Sequence, residues 1–265
     1  MARLRAAGCV FAEDEAGLLL EAAAGDQLEL LVRRRVTGEP LEQVLGWAEF
    51  CGLRITVEPG VFVPRRRTEL LVRQALAVLR RHAAREADVS HHRPPLVVDL
   101  CCGSGAVAAA IRARAPAAEV HAADVDPAAV GCARRNLPAE RVHEGDLYAA
   151  LPAQLRGRVD VLVVNAPYVP TDHLALMPPE ARLYEARVAL DGGADGVDVQ
   201  RRVVDEAAPW LAPGGHLLVE TGAGQVPRTV EAFAAHGFVT RVARSPRLGG
   251  TVVVGTPAVP ARPSR

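Results

Sequence analysis

The sequence of 265 residues contains no lysine, so arginine carries all the permanent positive charge of its side chains. Basic and acidic residues number 31 each, and the formal net charge is +0. A chain without excess positive charge is poorly suited to a long contact with a phosphate backbone. The composition therefore argues against a protein that binds nucleic acid along an extended surface.

Long apolar runs are also absent. No run approaches the roughly 20 residues that a membrane-spanning helix needs, although 49% of the residues are hydrophobic and supply an ample core. The first five residues, Met-Ala-Arg-Leu-Arg, lack the apolar centre of a secretory signal. We therefore expect a cytoplasmic protein with no membrane contact.

Cysteine is scarce, and its positions show no metal-ligand spacing. The five cysteines are Cys9, Cys51, Cys101, Cys102 and Cys132. Such a pattern is typical of reduced thiols in a cytoplasmic protein. The adjacent pair His91 and His92 lies in a polar linker, where solvated histidines are far more common than ligands. The sequence predicts no metal site.

The N-terminal quarter of the chain divides into two parts. Apolar residues at helical spacing between 11 and 36, interrupted at Gly25-Asp26, predict two short helices. We assign residues 1–43 to a small helical domain, which is too small to fold alone. Alternation over 50–57, a turn at 58–60 and a short run at 61–63 predict a β-hairpin. Residues 44–63 are thus expected to form a hairpin connector.

A rhythm of strands and helices fills residues 64–265, which we assign to one main domain. A helix is predicted from about 68 to 81, and the tail from about 257 is expected to be disordered. The predicted strands are 96–100, 120–124, 142–144, 159–164, 216–220, 239–244 and 251–256. The helices between them are 106–115, 127–137, 197–207 and 225–236. The rhythm predicts an α/β fold with a Rossmann-like, mostly parallel sheet of seven strands that ends in an antiparallel hairpin.

A glycine-rich segment follows the first strand of this domain. Gly103-x-Gly105-x-x-Ala108 matches the dinucleotide-binding pattern, in which glycines let a ligand approach the backbone. Asp124 ends the next strand about 20 residues later, where an acidic residue accepts hydrogen bonds from a ribose. These residues predict a cofactor that contains a nucleoside. The pattern alone fits a dinucleotide as well as S-adenosylmethionine.

Two features favour S-adenosylmethionine. Asp99, at the end of the first strand, suits a cationic amino-acid group better than a pyrophosphate, and the sheet ends in an antiparallel hairpin. A nicotinamide enzyme of this length would also use a proton-transfer group such as a Tyr–Lys pair, and the chain has no lysine. Asp146, after the third strand, offers a further acceptor near the adenine position.

The segment Asn165-Ala166-Pro167-Tyr168 follows the buried strand 159–164. It therefore lies at the carboxyl end of a parallel strand, where open α/β sheets bind their ligands. The asparagine offers a side-chain carbonyl and two N–H donors, whereas the proline cannot donate and stiffens the turn. The segment suits a planar amine or amide held by its N–H groups. It also fits a simple turn at a strand end, since Asn and Pro are common there.

Across residues 38–256 the chain resembles the HemK/PrmC family of protein-glutamine N5-methyltransferases. The matching elements are Gly38-Glu39-Pro40, Leu45-Gly46 with Glu49-Phe50, Val63-Pro64-Arg65-x-x-Thr68-Glu69, Asp99 to Gly105, Asp124, Asp146, Asn165-x-Pro167-Tyr168 and Ala189-Leu190-Asp191-Gly192-Gly193-x-Asp195-Gly196. The resemblance implies a class I S-adenosylmethionine-dependent methyltransferase fold with a small N-terminal helical domain. It also implies methylation of the glutamine in the Gly-Gly-Gln loop of peptide-chain release factors.

The resemblance also implies roles for individual residues. Catalysis falls to Asn165, Ala166, Pro167 and Tyr168, which together with Arg65 also bind the substrate. The cofactor-binding residues are Asp99, Cys101, Gly103, Ser104, Gly105, Asp124, Asp146, Leu147 and Asn165. The chain departs from the family at Ala166 and Ala186, where the family has proline, and at Cys101, where it has glycine.

Three other functions are compatible with the same residues. In an adenine amino-group methyltransferase, Tyr168 would stack on a flipped base, but the neutral charge and the lack of a target-recognition domain disfavour a nucleic-acid substrate. A methyltransferase of small-molecule amides or amines would suit the short N-terminal region. A non-catalytic binding module is disfavoured by the retained motif. We expect a monomer that acts on a protein.

Overall fold

The computed structural model describes residues 1–86 and 93–258. A disordered tail was predicted from about 257, but a strand extends to Pro257. Residues from 259 onward and the His91–His92 pair lie outside the described residues. At the N-terminus, four helices share one apolar core: α1 (Ala2–Ala6), α2 (Ala12–Ala22), α3 (Gly25–Val36) and α4 (Leu41–Leu45). The two predicted helices, α2 and α3, are confirmed. Helices α1 and α4 were not predicted, because five residues are too few to show a helical period.

The connector forms a hairpin, but not the predicted one. Strand β1 (Trp47–Phe50) pairs antiparallel with β2 (Leu53–Thr56), so that the turn is Cys51-Gly52. The prediction that 50–57 would turn at 58–60 and pair with 61–63 is wrong. Both turn residues have positive φ, 53° and 71°, which a two-residue type I′ turn requires.

The main domain begins with α5 (Glu69–Glu86), and the predicted alternation follows. Its further elements are β3 (Leu96–Leu100), α6 (Ala106–Arg114), β4 (Glu119–Asp124), α7 (Pro127–Asn136), β5 (Val142–Glu144), β6 (Val159–Val164), α8 (Pro179–Tyr184), α9 (Asp198–Ala207), β7 (Leu211–Glu220), α10 (Val226–Ala235), β8 (Phe238–Ser245) and β9 (Gly250–Pro257). Helix α5 ends five residues later than predicted. Strand β7 begins five residues earlier, because a register shift opposite Val159 and Val161 accommodates Pro213-Gly-Gly.

The seven strands lie in the order β5-β4-β3-β6-β7-β9-β8. The first five are parallel, and β9 is antiparallel to both β7 and β8. The predicted class of sheet, with its antiparallel final hairpin, is confirmed. The chain runs from β3 outward to β4 and β5 and then returns to β6 on the other side of β3. The crevice at the carboxyl ends of β3 and β6 is therefore the topological switch point where a ligand binds.

Runs of Val and Leu, each with one aspartate, explain why β3 and β6 lie inside the sheet. All residues of β3 and β6 are buried, as expected for parallel strands covered on both faces. Helices α5, α6 and α7 cover one face and α9 and α10 the other. No helix of the described residues is long and apolar enough to cross a membrane.

Candidate active site

A cavity of about 720 Å³ opens at the switch point. Its walls come from the loops after β3, β4, β5 and β6, from the segment before α5, and from the chain around α8. The predicted site residues that line it are Arg65, Asp99, Cys101, Gly103, Ser104, Asp124, Asp146, Leu147, Asn165, Ala166, Pro167 and Tyr168. The fold thus brings together all the predicted residues except Gly105.

Gly105 instead sets the position of α6. It is the N-cap residue of that helix, with φ 75°, and a Cβ atom there would lie 2.9 Å from Leu137 Cδ1 and 3.2 Å from Ala133 Cβ. A larger residue would therefore push the loop away from α7. Gly105 shapes the glycine-rich loop through packing rather than through the cavity wall.

Cys101 also has a backbone that favours glycine. Its φ is 55°, in the left-handed region that costs an L-residue about 1–2 kcal/mol. The family resemblance places glycine at this position, and this conformation accounts for that preference. The thiol is flanked by buried residues, and burial raises its pKa well above the ordinary value, so it is a neutral thiol.

Asp124 holds the glycine-rich loop against β4. One carboxylate oxygen accepts the Gly103 N–H (2.8 Å) and the other accepts the Asp126 N–H (3.0 Å). A carboxylate offers about four lone-pair sites, so both oxygens retain capacity for ribose hydroxyls. Asp126 itself caps α7 through the Ala128 N–H at 2.9 Å, as its place before Pro127 predicts.

Two more carboxyl groups line the part of the cavity beside the glycine-rich loop, here called the cofactor lobe. Asp99 is 1% exposed and accepts the Ala108 N–H at 3.0 Å, and burial raises its pKa to about 8. Asp146 receives a hydrogen bond from Arg202 at 2.6 Å. Arg202 belongs to α9 and also lines the cavity. No sequence pattern pointed to it, since it lies in an ordinary amphipathic helix.

The acidic character of this lobe decides between the two cofactor classes. Three carboxyl groups surround it, at Asp99, Asp124 and Asp146, and the guanidinium of Arg202 is already paired. A pyrophosphate would be repelled by the ionised carboxylates, whereas a cofactor with cationic sulfonium and ammonium groups is attracted by them. Asp99, whose pKa burial raises to about 8, would ionise more readily beside such a cation. The residues present therefore fit S-adenosylmethionine.

The Asn165-Tyr168 motif lies beside this lobe. The Oδ1 atom of Asn165 is buried and has no hydrogen-bond partner among the described residues. Buried acceptors are nearly always paired in folded proteins, so an unpaired one beside a cavity indicates a ligand that supplies an N–H. Burial raises the pKa of Tyr168 to about 12, which keeps its phenol neutral.

A glycine-containing loop after α8 packs against the backbone of the Asn165–Tyr168 motif and of Val169, the residue that follows it. Val169 donates to the Leu190 carbonyl (3.0 Å) and accepts from the Gly192 N–H (2.8 Å). A Cβ atom on Gly192 would lie 2.7 Å from Tyr168 Cα and 2.8 Å from the Pro167 carbonyl oxygen. The Asp191-Gly-Gly segment therefore allows a close approach of two backbones.

Gln225 completes this support, and sequence reasoning missed it. Its Nε2 donates to the backbone carbonyl of Tyr168 at 2.8 Å and to that of Asp195 at 3.2 Å. The signal in the sequence was the segment Thr-Gly-Ala-Gly-Gln directly after β7, which lies at the same edge of the sheet as Asn165.

Arg65 also lines the cavity, from the segment before α5. Its Nη2 donates to Glu185 Oε1 at 2.5 Å, and the Val63 N–H donates to the same oxygen at 3.1 Å. Glu185 is buried, so it fixes the guanidinium at the cavity edge. Within residues 1–86 and 93–258, no group of three or more His, Cys, Asp or Glu side chains is placed to hold a metal ion.

Known methyltransferases are similar to this chain in sequence and in fold. A family model described as "Methyltransferase small domain" matches residues 54–195. A release factor glutamine methyltransferase of Geobacter sulfurreducens is 42% identical over 214 residues, which cover 78% of this chain and 69% of that protein. The chain belongs to the HemK/PrmC family of protein-(glutamine-N5) methyltransferases. The cofactor of this methyltransferase is S-adenosylmethionine.

A second relative has a different printed activity. The "4-amino-L-phenylalanine/4-methylamino-L-phenylalanine methyltransferase" of Streptomyces pristinaespiralis is 40% identical over 208 residues, 78% of this methyltransferase and 69% of that protein. Among solved structures, the ribosomal protein L11 methylase of Lactobacillus delbrueckii subsp. bulgaricus matches with a TM-score of 0.50 at 17% identity, covering 77% and 84% of the two chains. The structural match shows the class I fold alone.

Proposed function

We propose that the enzyme transfers a methyl group to the side-chain amide nitrogen of a glutamine, in the Gly-Gly-Gln loop of a peptide-chain release factor. The observation that carries this proposal is the unpaired, buried Oδ1 of Asn165 beside the cofactor lobe. The names of several relatives point to the same substrate. The reaction is expected in the cytoplasm, where release factors act.

An amide nitrogen is a poor nucleophile because its lone pair is delocalised, so the enzyme must position it. The side-chain carbonyl of Asn165 and the backbone carbonyl of Ala166 accept its two N–H groups. The same acceptors stabilise positive charge that develops on the nitrogen as the N–C bond forms. One of the two N–H protons is then released to solvent, which leaves a neutral N-methyl amide. Ala166 retains the carbonyl that the family's proline offers. Pro167 and Tyr168 form the wall of the part of the cavity that receives the amide, here called the slot, and exclude water from it.

The chain's own residues also hold the methyl donor. Asp124 would accept from the ribose hydroxyls and Asp146 from the adenine, while Asp99 would hold the cationic amino-acid part. When bound, S-adenosylmethionine supplies an activated methyl group on a sulfonium. We expect a monomer to be active, which light scattering at assay concentration would test.

A small-molecule amine is the second candidate substrate. The Streptomyces pristinaespiralis relative, at 40% identity, is named for an aromatic amino acid with a ring amine. An amine presents N–H groups to Asn165 and Ala166 in the same way as an amide does. The motif alone therefore does not discriminate between the two classes.

Methyl transfer from labelled S-adenosylmethionine to a purified release factor tests the proposal. We expect label on the normal factor and none on a factor whose Gly-Gly-Gln glutamine is replaced by alanine. A parallel reaction contains 4-amino-L-phenylalanine. Labelling of this amine but not of the factor would replace the proposed function with the second candidate.

A further inference from the structure

Two arginines at the cavity wall are each paired with a buried glutamate. The first pair is Arg65 with Glu185, and the second is Arg67 with Glu220. The side chain of Arg67 is 43% exposed and lines the cavity, whereas that of Glu220 is 2% exposed. The buried partner thus holds a guanidinium at the surface that a substrate reaches.

Arg67 is in contact with the reaction motif. Its guanidinium carbon lies 5.5 Å from the centre of the Tyr168 ring, a cation–π distance. Its Nε atom lies 3.4 Å from Glu220 Oε1 at the end of β7. Tyr168 and Glu220 therefore restrict the guanidinium from two sides, while the side chain remains 43% exposed and lines the cavity.

Glu220 is buried in a position that would be energetically unfavourable for a carboxylate without a charged partner. Both carboxylate oxygens are buried and lack a hydrogen bond within the described residues. Burial raises the pKa of this carboxyl, and the neighbouring Thr68 hydroxyl and the Arg67 guanidinium oppose that rise. A buried carboxylate without a partner is strongly unfavourable, so the ion pair with Arg67, together with the nearby Thr68 hydroxyl, offsets the burial of Glu220.

The chemistry of the pair defines what it recognises. A guanidinium has five N–H donors and no acceptor, so its ligand must offer an oxygen. Because Glu220 already balances the charge of Arg67, the pair is neutral as a unit and suits a neutral carbonyl better than a free carboxylate. Peptide carbonyls flank any glutamine in a protein loop.

We propose that Arg67 is a specificity-determining residue that donates to a backbone carbonyl of the glutamine-bearing segment, with Glu220 as its positioning residue. This inference rests on the proposed protein substrate. It assigns to Arg67 the recognition of the peptide backbone and leaves the reacting amide to Asn165 and Ala166.

Arg67→Met, Arg67→Lys and Arg66→Met test the assignment. Arg66 is the adjacent residue, is exposed and does not line the cavity, so Arg66→Met is the matched control for lost charge. For Arg67→Met we expect KM for the release factor to rise at least tenfold, with kcat within about threefold and with unchanged affinity for S-adenosylmethionine. Arg67→Lys should recover part of the KM, since it keeps the charge but loses the planar fork.

Glu220→Gln tests the positioning role in a side chain of equal size. We expect it to raise KM when Arg67 is present and to have no further effect in the Arg67→Met background. Equal effects of Glu220→Gln in both backgrounds would show that Glu220 acts only on the fold. If Glu220→Gln lowers the yield of folded enzyme, Arg67→Met alone decides, because Arg67 is at the surface.

The outcomes separate this inference from the proposed function. If the wild-type enzyme does not label the release factor, the proposed function fails. If it does, and Arg67→Met behaves like Arg66→Met, only the assignment of Arg67 is overturned. If Arg67→Met instead impairs turnover of 4-amino-L-phenylalanine but not of the factor, Arg67 binds the carboxylate of a small substrate and the peptide assignment is wrong.

Discussion

The side-chain amide of Gln225 donates a 2.8 Å hydrogen bond to the backbone carbonyl of Tyr168. This contact joins the turn after β7 to the motif after β6, across 57 residues of sequence. The Oε1 atom of the same side chain accepts from the Gly222 N–H at 3.3 Å, so the amide cannot rotate freely. The last residue of the reaction motif is thereby fixed to the neighbouring strand.

Replacing Gln225 by alanine should therefore impair positioning rather than cofactor binding. An unpaired, partly buried carbonyl costs roughly 1–3 kcal/mol, and the Tyr168 backbone would relax to find another donor. We expect kcat to fall about tenfold, a change of about 1.4 kcal/mol in barrier, with affinity for S-adenosylmethionine unchanged. Calorimetry and initial rates measure the two quantities. Gln154→Ala, at an exposed position, is the control, and equal rates in both variants would contradict the role.

A methyl group on Gly192 should displace the motif. Its Cβ atom would lie 2.7 Å from both Tyr168 Cα and the Gly196 carbonyl oxygen, closer than van der Waals contact allows. We expect Gly192→Ala to destabilise the fold by about 1–3 kcal/mol and to reduce kcat at least tenfold at a temperature where it stays folded. Denaturant unfolding and initial rates provide the measurement.

Gly131 offers the matched comparison. It lies within helix α7, with nothing within 4 Å of the Cβ atom that alanine would add. Gly131→Ala should stabilise the enzyme by roughly 0.5–1 kcal/mol, because alanine favours a helix over the unfolded chain. Equal stability changes at the two glycines would show that the close approach at Gly192 does not matter.

The raised pKa of Asp99 predicts a pH dependence of stability. Burial raises this pKa from 3.8 to about 8, so between these values the folded enzyme keeps a proton that the unfolded chain releases. The free energy of unfolding therefore falls as the pH rises through this window. Asp99→Asn removes this loss.

We expect Asp99→Asn to gain stability relative to wild type from pH 4 to pH 8, by up to about 1.4 kcal/mol per pH unit. Denaturant unfolding of both proteins without cofactor, at several pH values across the window, measures the difference. A difference that stays constant with pH would mean that Asp99 ionises normally.

The elements of the fold that have a clear local sequence pattern could be predicted from the sequence. Strands β3 and β6 match their predicted bounds, because each is a run of Val and Leu with a single aspartate, Asp99 or Asp160. The hairpin was misplaced, because its turn contains Cys51 at positive φ, where Asn or Asp is the usual signal. Helices α1 and α4 are too short for a periodic pattern.

Some residues of the site could be predicted from the sequence and others could not. The position of Asn165 follows from the rule that ligands bind at the carboxyl ends of parallel strands. Arg202 and Glu185 could not be predicted, because each reaches the cavity from an element distant in sequence from Asn165. For Gln225 the segment after β7 was a signal, but its contact with the Tyr168 carbonyl was not encoded locally. Which distant side chain arrives at a strand end is decided by packing, and no local pattern encodes it.

The most direct measurement of the central claim is the location of the transferred methyl group. Release factor would be incubated with S-adenosylmethionine and either wild-type enzyme or Asn165→Ala, and then analysed by fragmentation mass spectrometry. We predict one methyl group on the side-chain nitrogen of the Gly-Gly-Gln glutamine. With Asn165→Ala we predict a rate lower by on the order of 10²-fold, with cofactor binding retained. Methylation at any other atom, or equal rates for both enzymes, would contradict the account.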